Sequence, residues 1–131
     1  MKITGSAISL NVADVAASAQ FVKTHLHFTE SMMVEDKVAS LTRDDLGFNL
    51  IFLKTGLETF KPQNRAGNAG EGLLVVMIVE NIDAEYTRLQ KERVPIVTPI
   101  ETEPWGERYF QMVDPNGIIF QCVQWMTESE T

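Results

Sequence analysis

The chain has 131 residues, of which 44% are hydrophobic and 22% charged, and its formal net charge is -7 at pH 7. That length suits one ordinary domain, the acidic balance without any run of Lys or Arg excludes nucleic acid and anionic membranes as partners, and no stretch approaches the ~20 uninterrupted apolar residues of a membrane helix. The single cysteine, Cys122, excludes a disulfide framework and reads as a small buried hydrophobe within its apolar run.

Near the N-terminus Asn11 and Asp14 interrupt the one apolar stretch, so no signal peptide is expected and the expected compartment is the cytoplasm. Ser6 to Val12 alternates as a strand does. Asp14 then stands where a helix N-cap belongs, and Val15, Ala19, Val22 and Leu26 place one apolar stripe along a helix. Phe28 to Val34, Val38 to Leu41 and Phe48 to Leu53 read as strands, separated by the turn-rich Glu35-Asp36-Lys37 and Arg43-Asp44-Asp45. These elements make a βαβββ module over about residues 4–54. Residues 55–72, rich in Gly and Asn and holding Pro62, read as a linker.

The same order then begins again over about residues 73–126. Leu74 to Val79 is a strand, Asn81 takes the cap position, and Ile82, Tyr86 and Leu89 repeat the helical stripe. Val94 to Ile100, Arg108 to Val113 and Ile118 to Trp125 complete the strands, with Asp114-Pro115-Asn116-Gly117 as a tight turn. An offset of 67 aligns Val12 with Val79, Val15 with Ile82 and Val22 with Leu89, while Gly47 and Gly117, 70 apart, each open a strand. A unit of this size cannot bury its sheet face alone, so the expected architecture is a single α+β domain built of two such modules.

Trp105-Gly106-Glu107-Arg108, then Phe110 and Asp114-Pro115-Asn116-Gly117, together with Val12-Ala13-Asp14, Leu26-His27-Phe28 and Val79-Glu80-Asn81-Ile82-Asp83, resemble the vicinal oxygen chelate superfamily. That group includes glyoxalase I, extradiol dioxygenases, fosfomycin resistance proteins and bleomycin resistance proteins. His27 replaces the glycine of the family's Leu-Gly-Phe. The resemblance implies curled mixed sheets around a cleft and the association of two chains. In metal-dependent members it implies ligands, typically His, Glu or Gln, from four cleft-facing strand positions. Carried over, these fall on Ala7, Leu74, Gln121 and one residue within Phe48 to Leu53, where Asn49 is the polar candidate.

A catalytic zinc or iron site needs His, Cys or carboxylate donors converging on one point, and these positions supply none. His25 and His27 flank a helix end and lie on alternate sides of an extended segment, where imidazole suits the helix dipole. No metal and no cofactor are therefore expected, and no nucleophile, since neither Ser40 nor Cys122 has a base positioned beside it. Asp44-Asp45 and Glu101 with Glu103 read as solvated surface, and Gly67, Gly70 and Gly72 form no phosphate loop.

Aromatic residues remain. Trp105 sits in a Pro-Trp-Gly loop and invites a ligand; Phe48, Phe52, Phe110 and Phe120 lie on strands, either lining the cleft or filling the core. Arg108 either bonds a ligand or pairs with Glu107 or Glu103. The expected function is that of the bleomycin resistance branch: a homodimer that sequesters a small aromatic or cationic molecule without altering it. The expected ligand-binding residues are Trp105, Gln121, Arg108, Phe110, Phe48, Asn49 and Phe52. The alternative is a metal-dependent lyase, isomerase or dioxygenase, which requires an ion bound despite Ala7 and Leu74.

Overall fold

The computed structural model describes residues 1–126. The chain divides into two compact units, Met1–Ala69 and the residues from Gly70 on. In the first, β1 (Ala7–Val12), α1 (Val15–Leu26), β2 (Thr29–Val34), β3 (Val38–Thr42) and β4 (Asn49–Lys54) follow in the βαβββ order. In the second, the same order runs through β5 (Val75–Ile78), α2 (Ile82–Lys91), β6 (Ile96–Thr102), β7 (Glu107–Val113) and β8 (Ile119–Trp125). Each unit holds one four-stranded mixed sheet, ordered β1-β4-β3-β2 and β5-β8-β7-β6, in which the first strand pairs parallel with the last. The fold is α+β, as the repeat predicts.

The helices start alike because the caps are alike. Asp14 Oδ1 accepts from the Ala17 amide and Asn81 Oδ1 from the Ala84 amide, both at 3.1 Å. Each helix then lays its apolar stripe on one face of its own sheet. In the first unit Val22, Leu41, Leu50 and Phe52 are fully buried; in the second Ile82, Leu89, Phe110, Met112 and Phe120 are. Burial on this scale contributes about 1.5–3 kcal/mol per large side chain. Cys122 lies in the second core, and burial pushes its thiol up to about 12, which keeps it protonated and inert.

α1 ends on a residue in the left-handed region. His27 has a φ of 58°, and the Phe28 amide beyond it donates to Val22 O at 3.1 Å. Glycine accepts this conformation without the clash a Cβ brings. His27→Gly is therefore expected to stabilise the protein by about 0.5–1 kcal/mol, after allowing for the looser unfolded chain. The check is a urea titration in which the midpoint rises and the slope stays constant.

Residues 55–69, expected as part of a linker, belong to the first unit. Asn11, 9% exposed on β1, holds them: its Nδ2 donates to Arg65 O at 3.0 Å and Gly67 O at 2.9 Å, and its carbonyl accepts from the Ala69 amide at 2.9 Å. The Thr55 amide donates to Val12 O at 2.9 Å, and Gly56 to Ala66 O at 2.7 Å. This stretch is an arm fastened to β1.

Candidate functional site

Side chains alternate across a strand, so each sheet has a helix-covered face and a face turned away from its helix. In the second unit the helix side is fixed by the ring contact of Tyr86 with Phe110, whose centroids are 4.9 Å apart. Phe110 pairs with Cys122 and Met112 with Phe120 in the register, which places these apolar residues together under α2. Glu107, Tyr109 and Gln111 on β7 and Gln121 on β8 fall on the opposite face, Gln111 directly across from Gln121.

On that face one hydrogen-bonded row crosses the sheet. Thr98 Oγ1 donates to Gln111 Oε1 at 2.7 Å, and Gln111 Nε2 donates to Gln121 Oε1 at 2.8 Å. Gln121 Nε2 donates to Glu107 Oε2 at 3.2 Å, and Trp105 Nε1 to Glu107 Oε1 at 3.1 Å. Glu107 can only accept, so its carboxylate orients every amide behind it. Gln121 is 6% exposed, and the oxygen and the nitrogen of its amide each have a partner in the row, which holds the side chain in place.

The row ends in a loop that presents the indole. The Glu103 amide donates to Glu107 O at 2.8 Å, Gly106 to Glu103 O at 2.9 Å, and Met126 to Gly106 O at 2.8 Å. Gly106 has a φ of 95°. Trp105 is 64% exposed at the tip of this turn, a broad flat ring held by one edge and open on its faces.

Tyr109 sits beside the row between two further carboxylates. Its hydroxyl donates to Glu101 Oε1 at 2.7 Å and lies 3.4 Å from Glu103 Oε1. The hydrogen bond to Glu101 first, then lost hydration and the nearby negative charges, push the phenol from 10.0 up to about 12. The folded state holds this proton more tightly than the unfolded chain. The resulting contribution to stability is whole below 10.0 and is lost as pH rises through about 12. In a Tyr86→Phe background, an absorbance titration should show Tyr109 ionising at about 12, and adding Glu101→Gln should bring that step down.

The expected ligand-binding residues do not all share this setting. Trp105 and Gln121 meet on the row. Arg108 lies on the helix side, where Nη2 and Nε donate to Asp83 Oδ1 and Oδ2 at 2.6 and 3.2 Å and Nη1 to Thr102 Oγ1 at 2.8 Å. Its guanidinium holds the Asp83 carboxyl below the usual carboxylate range and braces the start of α2, and neither Glu107 nor Glu103 is its partner. Phe110 and Phe52 are fully buried beneath their helices. Phe48 is half-buried just before β4, and Asn49 is exposed, paired with Ala7 in the register. Glu107, Gln111 and Thr98 form the row and Tyr109 lies on the same face, although none of the four is among the expected ligand-binding residues.

The residues at the positions matching the metal-binding superfamily members do not fit a metal centre. Ser9 pairs with Ile51 as Val76 pairs with Gln121, and the offsets of 67 and 70 carry the first pair onto the second. The counterpart of Gln121 is thus Ile51, two residues beyond Asn49. Ala7, Ile51 and Leu74 carry no donor atom in their side chains, and both ends of the Gln121 amide are engaged by Gln111 and Glu107. Among the described residues no group of three or more His, Cys, Asp and Glu side chains is placed to hold an ion.

Residues 6–122 match the model of the Glyoxalase/Bleomycin resistance protein/Dioxygenase superfamily. Among solved structures, the chain is similar to a glyoxalase/bleomycin resistance protein/dioxygenase from Nocardioides, with a TM-score of 0.80 and 23% identity over 98% of this chain and 87% of that one. It is also similar to lactoylglutathione lyase from Agrobacterium tumefaciens (TM-score 0.75, 15% identity, 94% of each chain). TioX from Micromonospora sp. ML1 matches with a TM-score of 0.72 and 18% identity over 95% of this chain and 100% of that one. No curated protein matches the sequence. At these identities the structural likenesses show the fold, and the family match spans most of the sequence. The chain belongs to the glyoxalase/bleomycin resistance protein/dioxygenase superfamily.

Proposed function

We propose that this protein binds a small planar aromatic or cationic molecule without a metal and without altering it, as sequestering proteins of the bleomycin resistance kind do, and that it works as a cytoplasmic homodimer. The observation that carries this reading is the row from Thr98 to Trp105: an ordered polar track, anchored on one carboxylate, that ends in an exposed indole. Trp105 would stack on the ligand's ring, and a cation over that ring gains about 0.5–2 kcal/mol. Gln121 and Gln111 keep amide hydrogens beyond those used within the row, which would orient the ligand's acceptors, and Glu107 supplies the charge a cation meets.

The lack of donor side chains at Ala7, Ile51 and Leu74 supports binding over metal-assisted chemistry. No helix among the described residues is long and apolar enough to cross a membrane. The test is a fluorescence titration of the two tryptophans against bleomycin and a panel of planar aromatic cations, in parent and Trp105→Ala. Saturable quenching that weakens at least tenfold in the variant is expected. Silence across the panel, or a stoichiometric metal ion found in protein purified without chelator, would overturn the proposal. Sedimentation equilibrium at micromolar concentration checks the dimer.

A further inference from the structure

We infer that Asn116 is a site of spontaneous covalent modification, in which its side-chain amide is lost as ammonia, and that the buried carboxylate of Asp114 holds this reaction off in the folded chain. The tight turn between β7 and β8 contains Asn116-Gly117. None of the other asparagines, Asn11, Asn49, Asn64, Asn68 and Asn81, is followed by glycine. The chemistry depends on that neighbour. The attacking atom is the backbone nitrogen of the residue after asparagine, and glycine places no Cβ in its way and leaves the chain free to rotate into line.

The reaction balances within the chain and one water. The Gly117 nitrogen gives up its proton and bonds to Asn116 Cγ, the Cγ–Nδ2 bond breaks, and the amide nitrogen leaves with that proton as ammonia, which closes a cyclic imide. Water then opens the ring at one of its two carbonyls. Opening at Cγ leaves aspartate; opening at the backbone carbonyl leaves isoaspartate, whose main chain runs through the side chain and is one carbon longer. Either product adds one negative charge. Gly117 is exposed and a Cβ on it would meet nothing within 4 Å, so water reaches the turn.

In the folded chain the nucleophile is engaged. The Gly117 amide donates to Asp114 O at 3.0 Å. Asp114, 4% exposed, fixes the rest of the turn: its Oδ1 accepts from the Asn116 amide at 2.9 Å and the Ile118 amide at 2.8 Å, and its own amide donates to Ile118 O at 3.0 Å. An amide proton held by a carbonyl is not given up until that bond opens, so the rate follows the fraction of time the turn is open. The consequence reaches beyond the turn. It sets the register that pairs Gln111 with Gln121, and an extra main-chain carbon within it displaces β8 against β7. Isoaspartate at 116 therefore breaks the amide row, whereas aspartate, with the parent's backbone length, leaves it intact.

The test follows the full chain in mildly alkaline buffer, folded and in denaturing urea, by peptide mapping and by assay with an isoaspartyl methyltransferase. The unfolded chain should convert Asn116 ahead of every other asparagine, and the folded parent should convert it at least about tenfold more slowly. Folded Asp114→Ala should approach the unfolded rate; should that variant fail to fold, the parent in sub-denaturing urea must convert in step with hydrogen exchange at the Gly117 amide. After conversion and refolding, the isoaspartate form should lack the parent's Gln111 and Gln121 side-chain amide resonances, and Asn116→Asp should retain them. Conversion as fast in the folded parent as in the unfolded chain, conversion that does not follow exchange at Gly117, an unfolded chain that keeps Asn116, or an isoaspartate form with the parent's resonances would each overturn the inference.

Discussion

Gly106→Ala is expected to destabilise the protein by about 3 kcal/mol, a fall in melting temperature of roughly 10 °C. Two independent effects add. The backbone φ of 95° lies where an L-residue with a Cβ is strained, which amounts to about 1–2 kcal/mol. The new Cβ would also stand 2.5 Å from Met126 O, a backbone atom that already accepts no give, since the Met126 amide is bonded back to Gly106 O. The chain after β8 or the turn itself must therefore shift, and Trp105 leaves its bond to Glu107. Thermal melts read the stability, and a red shift of tryptophan emission reads the loosened indole. Gly67→Ala is the control: a Cβ there meets nothing within 4 Å and the backbone is not left-handed, so it should be neutral. Equal melting points for the two variants would refute the assignment of Gly106 as the fixed corner of the site.

Much of the fold is legible in the sequence because the repeat writes each element twice. Asp14 and Asn81 sit one offset apart, cap identically, and are followed by stripes that need an apolar sheet face. The tight turn at Asp114–Gly117 even sets the β7–β8 register that brings Gln111 opposite Gln121, so that pair was readable from the hairpin. What alternation alone leaves open is which face the helix takes. Phe110 has the same period as Met112, and Phe120 as Cys122; these apolar sets claim the helix side, which moves Phe110 and Phe52 into the core and leaves the amides outside. Arg108 shares that period, and its partner Asp83 lies in a different element, 25 residues away in sequence. Contacts of that kind have no local signature.

The arm shows the same limit from the other direction. Its Gly and Asn content reads as a linker because composition reports backbone freedom, not a distant anchor. The anchor is one side chain, Asn11, and Asn11→Asp is expected to test it most severely. The substitution turns the donor facing Arg65 O and Gly67 O into a carboxylate facing two carbonyl oxygens, all at 3.0 Å or less. Two stranded acceptors and a partly desolvated charge should destabilise the first unit by about 3 kcal/mol. The sign of the pH dependence is fixed. Burial against carbonyls favours the protonated acid, so the folded pKa rises above the unfolded value of about 4. The deficit relative to the parent is then complete above the raised pKa and shrinks as pH falls through it toward about 4, where the acid can donate one of the lost bonds. Asn11→Leu should lose about 2 kcal/mol with no such pH dependence. Urea titrations of parent and both variants at about pH 8, 6 and 4.5 separate the two. Brief proteolysis should nick Asn11→Asp within residues 55–69 before any strand is cut. A pH-independent deficit in Asn11→Asp, or an arm that resists cleavage, would mean that the Thr55 and Gly56 amides hold the segment without Asn11.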